Sequence, residues 1–269
     1  MTEPVPPASA LTDLGAGRPL VFLHGWSVDR SFFLAQESLA RDGFRAVAPD
    51  QPGHGDTPLA PWPATMAGLA DALAALIASI PGDPAVLVGW SMGAIVALDY
   101  LARHGAGRIA GLVMVDMSPK VANGPDWPHG LAGGQDLEGA LGAADRMEGD
   151  WPLYAPRIAR AMFAAGHDEA SPHLARATER IAARDPTVMA ALWRSLVQAD
   201  HRATVAGLPV PLLAVAGAKS QLYSPAVADW IAATAPQGRA RIIAEAGHAP
   251  HMEQPAAFNA AVAGFARSL

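Results

Sequence analysis

Short apolar runs alternate with longer Ala-rich stretches along most of the chain. The runs are rich in Val, Leu and Ile without polar alternation, which is typical of strands buried on both faces of a sheet. They predict six strands, at residues 19–23, 45–48, 85–88, 111–115, 212–216 and 239–244. Helical spacing at 66–80 and 255–267 separates or follows them. This alternation predicts an α/β fold with a mostly parallel central sheet flanked by helices.

Between residues 118 and 207 the alternation stops, and helical pieces are broken by "NGPDWPHG", "AGG" and "DWPLYAP". The segment is too long for a loop, so we expect a helical cap inserted into a core of residues 1–117 and 208–269. An inner apolar face of the cap could bind substrate, although helical aromatics also pack within a cap's own core. The candidate substrate-binding residues there are Trp127, Trp151 and Trp193, beside Tyr154, Phe163, Met147 and Met162.

Composition narrows the class of protein. Of 269 residues, 51% are hydrophobic and 16% charged, which indicates a compact globular chain. The net charge of −6 provides no basic field, so we expect neither nucleic acid nor a membrane as partner. The absence of cysteine excludes disulfides and thiolate chemistry. The N-terminal "MTEPVPPASALTDLGAG" predicts neither a signal peptide nor an anchor, which favours a cytoplasmic location.

The segment Gly89-Trp90-Ser91-Met92-Gly93 stands between an apolar run and a helical pattern. In a Gly-x-Ser-x-Gly turn the glycines relieve crowding at a sharp strand-to-helix bend, which exposes the serine at a helix N-terminus. A plain Gly/Ser turn is the structural alternative. We predict that Ser91 is a nucleophile.

A serine nucleophile needs a base, and the oxyanion needs two backbone N–H groups. His248 in "EAGHAPHMEQP" is the candidate base, with His251 as competitor. The histidines expected mostly on the surface are His54, His104, His129, His167, His173 and His201. None of them has a partner at the spacing typical of zinc ligands. Trp26 and Met92 are the candidate N–H donors. His24 and Gly25 precede Trp26 in "LHGWS" and are taken as substrate-binding, although His-Gly can also be a simple turn.

The ordered motifs "LHGW", "DQPGHGDT", "GWSMG" and "AGHAPHMEQP" resemble those of the α/β-hydrolase superfamily over essentially the whole chain. Within it, the chain is most similar to pimeloyl-carrier-protein methyl ester esterases and related small carboxylesterases. The resemblance implies an α/β-hydrolase fold, a Ser-His-acid triad, and neither metal nor organic cofactor.

The usual acid of this family is missing. It follows the strand "LLAVAG" as Gly-x-x-Asp, whereas this chain has Gly217-Ala218-Lys219-Ser220. Either the triad is broken, or Asp229 substitutes, or the acid is Asp116, which ends the strand after the nucleophile helix. Some esterases and haloalkane dehalogenases of the superfamily place their acid there. Asp116 could also be a structural loop residue, but triad logic favours it as the acid.

We therefore predict a hydrolase of short- to medium-chain or aromatic carboxylic esters, with Ser91, His248 and Asp116 as triad. Two alternatives stay open: a cofactor-free dioxygenase resembling those that cleave quinolones, and a non-catalytic hydrolase-fold binding protein. Arg157 and Arg160, three residues apart, could receive an acyl-carrier protein as partner or simply form a solvated helix face.

Overall fold

A single seven-stranded sheet forms the centre of the protein. The computed structural model describes residues 10–269. The strands are β1 (Leu11–Gly15), β2 (Arg18–Leu23), β3 (Phe44–Pro49), β4 (Ala85–Trp90), β5 (Ile109–Val115), β6 (Leu212–Gly217) and β7 (Gly238–Ile243). Their order across the sheet is β1-β3-β2-β4-β5-β6-β7. Each of the six predicted strands is present within two residues of its predicted ends.

β1 is the strand that the sequence pattern missed. It pairs antiparallel with β3, whereas every other pairing in the sheet is parallel. Most of β1 is exposed, so its side chains show no buried run. An antiparallel edge strand on a parallel sheet is a common arrangement, and a polar edge limits pairing with other chains.

Helices cover the sheet and fill the long insertion. The core helices are α1 (Met66–Ser79), α2 (Met92–His104), α8 (Ala226–Thr234), α9 (Pro250–Glu253) and α10 (Pro255–Arg267). A 3₁₀ segment with a kink covers Arg30–Asp42. We call residues 118–207, between β5 and β6, the cap. Its helices are α3 (Leu137–Gly149), α4 (Trp151–Ala161), α5 (Pro172–Ala182), α6 (Pro186–Gln198) and α7 (Arg202–Ala206).

The parallel strands bring four loops to one edge of the sheet. β2, β4, β5 and β6 run in the same direction and are neighbours, so their carboxyl ends meet there. The residues that follow them are His24, Ser91, Asp116 and Ala218. Open α/β sheets bind their ligands at this edge.

No helix within residues 10–269 combines the length and apolarity that crossing a bilayer requires. Residues 1–9 carry much of the stretch for which we predicted neither signal peptide nor anchor, and they lie outside the described residues.

Candidate active site

Ser91 lies at the sharp turn between β4 and α2. Its backbone has φ 53° and ψ −124°, a conformation that non-glycine residues rarely adopt. A Cβ atom at Gly93 would lie 2.1 Å from the carbonyl oxygen of Leu23, and one at Gly89 would lie 2.5 Å from the backbone of Ala94. Both positions therefore require glycine. The turn leaves Ser91 half-exposed in a pocket at the N-terminus of α2.

His248 is buried in the loop after β7 and lines the same pocket as Ser91. Its Nδ1 lies 2.7 Å from Oδ2 of Asp116. The indole Nε1–H of Trp90 donates to the carbonyl oxygen of His248 at 2.7 Å. Trp90, the residue before Ser91, thus fixes the loop that carries His248, a role that the sequence pattern did not suggest.

Asp116 is buried at the end of β5 with a positive φ of 46°. Besides His248, its carboxylate receives the backbone N–H of Gly217 on Oδ1 at 3.0 Å and the hydroxyl of Ser220 on Oδ2 at 2.6 Å. Asp229, the competing acid, is exposed on α8. The structure brings Asp116, and not Asp229, to the histidine.

The loop after β2 passes directly beside Ser91. A Cβ atom at Gly25 would lie 3.3 Å from Cβ of Ser91, and Gly25 and Trp26 both line the pocket. Met92 is the first residue of α2, so its N–H belongs to the free N-terminal turn of a helix, which favours negative charge. The two predicted oxyanion donors therefore belong to segments on either side of Ser91.

His24 does not line the pocket, so the geometry gives no support to its prediction as a substrate-binding residue. The ring is fully buried, its Nε2 accepts from the N–H of Gln51 at 2.9 Å, and its Nδ1 lies 2.8 Å from the carbonyl oxygen of Gly25. This pattern requires a neutral ring with the proton on Nδ1. Burial lowers the pKa of His24, which agrees with that state.

The pocket has a volume of about 130 Å³ and is mainly apolar. Trp193 lines it as predicted, and so do Met147 and Met162. The full lining is Gly25, Trp26, Trp90, Ser91, Met117, Leu131, Met147, Ile158, Ala161, Met162, Trp193, Leu196, Leu222, Tyr223 and His248. Burial raises the pKa of the Tyr223 phenol, whose ring centroid lies 5.9 Å from that of His248.

Trp127 and Trp151 are not among these lining residues, so the pocket gives no support to their prediction as substrate-binding residues. Trp127 packs edge-on against Trp230 and donates to the carbonyl oxygen of Lys120 at 2.9 Å. Trp151 donates to the carbonyl oxygen of Ile181, which joins α4 to α5. A buried indole N–H needs an acceptor, and for both residues that acceptor is a backbone carbonyl.

The side chain of Trp26 joins the loop after β2 to the cap. Its Nε1–H donates to the carbonyl oxygen of Met189 in α6 at 2.9 Å. Its ring packs against Trp151 and Trp193, with centroid distances of 5.6 and 5.0 Å. The predicted oxyanion loop is therefore held by cap residues as well as by the core.

A second link between cap and core is Glu253 of α9. Its carboxylate accepts from the N–H of Gly247, next to His248, at 2.7 Å and from the N–H of Ala164 in the cap at 2.8 Å. Burial raises the pKa of this carboxyl. No motif in the sequence indicated this link.

Two histidines expected on the surface, His54 and His201, are buried. His54 accepts from the N–H of Ser27 at 3.2 Å, so the "PGHG" turn supports the loop that carries Trp26. Burial holds the pKa of His54 well below its usual range. His251, the competing base, is buried against Phe33 and Trp90, with ring centroids 4.8 and 4.5 Å away. Within residues 10–269, no group of three or more His, Asp or Glu side chains could hold a metal ion.

Comparison with known proteins places these features in a family. The sequence model described as "Alpha/beta hydrolase family" matches residues 20–261. The chain is 32% identical over 243 residues to the pimeloyl-[acyl-carrier protein] methyl ester esterase of Aromatoleum aromaticum, covering 88% of this chain and 93% of that protein.

Two solved structures are similar over nearly the whole chain. A thermophilic esterase from Thermogutta terrifontis has a TM-score of 0.83 and 28% identity, covering 96% of this chain and 93% of that one. An esterase from Exiguobacterium antarcticum has a TM-score of 0.87 at 21% identity, covering 96% and 94%, and supports the fold alone. The match across residues 20–261 shows that the chain belongs to the α/β hydrolase family.

Proposed function

We propose that this protein is a serine hydrolase that cleaves carboxylic esters through Ser91, His248 and Asp116. The observation that carries the proposal is the buried pair of His248 and Asp116, 2.7 Å apart, whose histidine lines the same pocket as Ser91. The esterase names of relatives at about 30% identity support the ester as the bond cleaved.

In the proposed mechanism, the Ser91 hydroxyl attacks the ester carbonyl while His248 takes its proton. The N–H groups of Trp26 and Met92 receive the negative charge on the carbonyl oxygen. His248 then returns the proton to the departing alcohol, which leaves an acyl group on Ser91. A water molecule, deprotonated by His248, attacks this acyl-enzyme and releases the acid. Asp116 holds the Nδ1 proton of His248 and stabilises the imidazolium in both steps.

The lining of the pocket favours an uncharged acyl group. A cavity of roughly 150 Å³ holds a benzene ring, so about 130 Å³ suits a short to medium chain or one aromatic ring. Met117, Met147 and Met162 have flexible side chains that adapt to differently shaped acyl groups. We expect kcat/KM for nitrophenyl esters to peak at medium acyl length and to fall when a carboxylate is added to the acyl end.

A carrier-bound ester is the more specific substrate that we propose. The relatives' names include an acyl-carrier protein, and α4 exposes Arg157 and Arg160. Arg160 is paired with Glu169, whereas the Arg157 guanidinium lies over the Tyr154 ring. Arg157→Glu should raise KM for a carrier-bound ester and leave KM for a free methyl ester unchanged. Equal effects on both esters would remove the carrier from the proposal.

The proposed chemistry is tested with a fluorophosphonate probe, which modifies activated serines. Folded protein should be labelled at Ser91, and the Ser91→Ala variant should not be labelled. Absence of labelling in folded native protein would overturn the esterase proposal in favour of the dioxygenase or binding-protein alternatives. Consumption of oxygen with a quinolone substrate would then separate those two.

A further inference from the structure

Ser220 occupies the loop position where relatives of this fold were expected to carry the acid. Its hydroxyl oxygen lies 2.6 Å from Oδ2 of Asp116, the same oxygen that pairs with Nδ1 of His248 at 2.7 Å. The two ends of this contact are 104 residues apart in the chain. Together with the N–H of Gly217, Ser220 completes a set of three donors around one buried carboxylate.

The direction of the Ser220 proton follows from its other contacts. The backbone N–H groups of Leu222 and Tyr223 both donate to the Ser220 oxygen at 3.3 Å. A hydroxyl has two acceptor lone pairs and one proton. Because these two N–H groups use the lone pairs, the proton is directed to Oδ2 of Asp116. The hydroxyl therefore donates to a charged acceptor, which makes the bond stronger than one between neutral groups.

We propose that Ser220 is a positioning residue that orients the Asp116 carboxylate toward His248 and moderates its charge. This inference rests on the proposed triad. The shared oxygen accepts from both Ser220 and His248, so the hydroxyl fixes its place and withdraws part of its negative charge from the imidazole. Ser220 does not itself line the pocket, and its hydroxyl reaches the triad through Asp116.

Loss of the hydroxyl has a signature that loss of packing would not produce. Without Ser220, Oδ2 would pull more strongly on the proton of His248 and favour the imidazolium. The acid limb of the profile of kcat/KM against pH should then move to higher pH. The titratable side chains next to His248 are Asp116, Tyr223 and His251, with Glu253 bonded to the neighbouring Gly247. None of them changes in a Ser220 variant.

The experiment compares Ser220→Ala with Ser220→Thr, which keeps the hydroxyl, and with Ser224→Ala, an exposed serine on the same loop. For Ser220→Ala we expect kcat to fall roughly tenfold, KM to stay constant and the acid limb to rise by roughly 0.5–1 pH unit. Ser220→Thr should restore the native profile, and Ser224→Ala should not depart from it. Thermal unfolding and fluorophosphonate labelling are measured for every variant.

A native kcat and pH profile in Ser220→Ala, with Ser91 still labelled, would overturn the inference while leaving the proposed triad in place. A fall in kcat that Ser220→Thr does not restore would also overturn it, since the hydroxyl would then not be the cause. Failure of the native protein to label at Ser91 would instead count against the proposed function itself.

Discussion

At the carboxyl edge of the sheet, polar side chains are buried and bonded to one another or to loop backbone, as His248 is to Asp116 and His24 to Gln51. In the cap, indole N–H groups reach helix carbonyls, as in Trp151 and Trp193, beside exposed ion pairs such as Arg194 with Asp145. Side-chain bonds at the edge therefore connect the candidate catalytic residues, whereas the indole bonds in the cap connect its helices to one another. A tryptophan in the cap is a poor guide to the pocket, because both of these indoles find a carbonyl acceptor and only Trp193 lines the pocket.

The largest expected effect lies at the edge, in Asp116→Asn. An amide keeps the shape of the carboxylate but cannot stabilise an imidazolium, so kcat/KM should fall roughly 1,000- to 10,000-fold. Asp229→Asn, at the exposed acid on α8, is the matched control and should not change activity. Steady-state hydrolysis of a nitrophenyl ester measures both. Near-native activity in Asp116→Asn would show that the acid lies elsewhere.

A second change tests whether the neighbouring strand end can still supply the acid. Since the Ser220 oxygen lies 2.6 Å from Oδ2 of Asp116, an added carboxylate there should come within reach of His248. Ser220→Asp in the Asp116→Asn background should recover roughly tenfold in kcat/KM over Asp116→Asn alone. Ser224→Asp in the same background is the control. If Ser220→Asp gives no recovery in the Asp116→Asn background, the acid of this site must stand at the end of β5.

Trp26 follows β2 at the sheet edge and bonds to the cap, so variants of Trp26 and Trp151 distinguish the roles of the two regions. Trp26→Phe removes the indole bond to Met189 while keeping the backbone N–H, and kcat should fall about fivefold because the oxyanion loop loosens. Trp151→Phe removes the indole bond to Ile181, so the free energy of unfolding should fall by about 1 kcal/mol while kcat is retained. Denaturant titrations and kinetics on both variants provide the comparison, and a larger loss of kcat in Trp151→Phe would reverse it.

The last effect is the dependence of the free energy of unfolding on pH. Burial lowers the pKa of His251 to about 3, and neither ring nitrogen has a hydrogen-bond partner among the described residues. The unfolded chain binds this proton near pH 6.5, so native stability is present above that pH and is lost as the pH falls toward 3. Between pH 7.5 and 5.5 the loss from this group is roughly 1 kcal/mol.

His251→Phe should reduce that pH dependence, which urea titrations at the two pH values measure. The buried histidines His24, His54 and His201 also have a lowered pKa, so a slope should persist in the variant. An unchanged difference between the two pH values would show that His251 is not a source of acid sensitivity.

The core was more predictable from sequence than the cap for a physical reason. Apolar runs mark buried parallel strands, and the strained turn at Ser91 requires the glycines that make "GWSMG" visible. β1 was not predicted because an exposed edge strand needs no apolar run. The cap offered only aromatic positions, and packing decided that Trp193 would face the pocket and Trp151 would not.

Contacts between segments far apart in the chain could not be predicted from sequence patterns. The absence of an acid after β6 pointed to Asp116, but no pattern indicated that Ser220 would bond to it. Likewise, the buried His54 accepts a bond from Ser27, 27 residues away. No sequence pattern distinguishes a buried histidine in a turn from one on the surface.

The backbone at Ser91 and Asp116 has consequences for how this protein could change under selection. Both residues have positive φ, which disfavours any side chain and favours glycine. A glycine in place of Ser91 would relieve strain of order 1 kcal/mol or more while removing the proposed nucleophile. A glycine in place of Asp116 would instead leave three buried donors without their acceptor. A library sorted for heat resistance alone would therefore enrich inactive chains at position 91, so such a screen must include an activity selection.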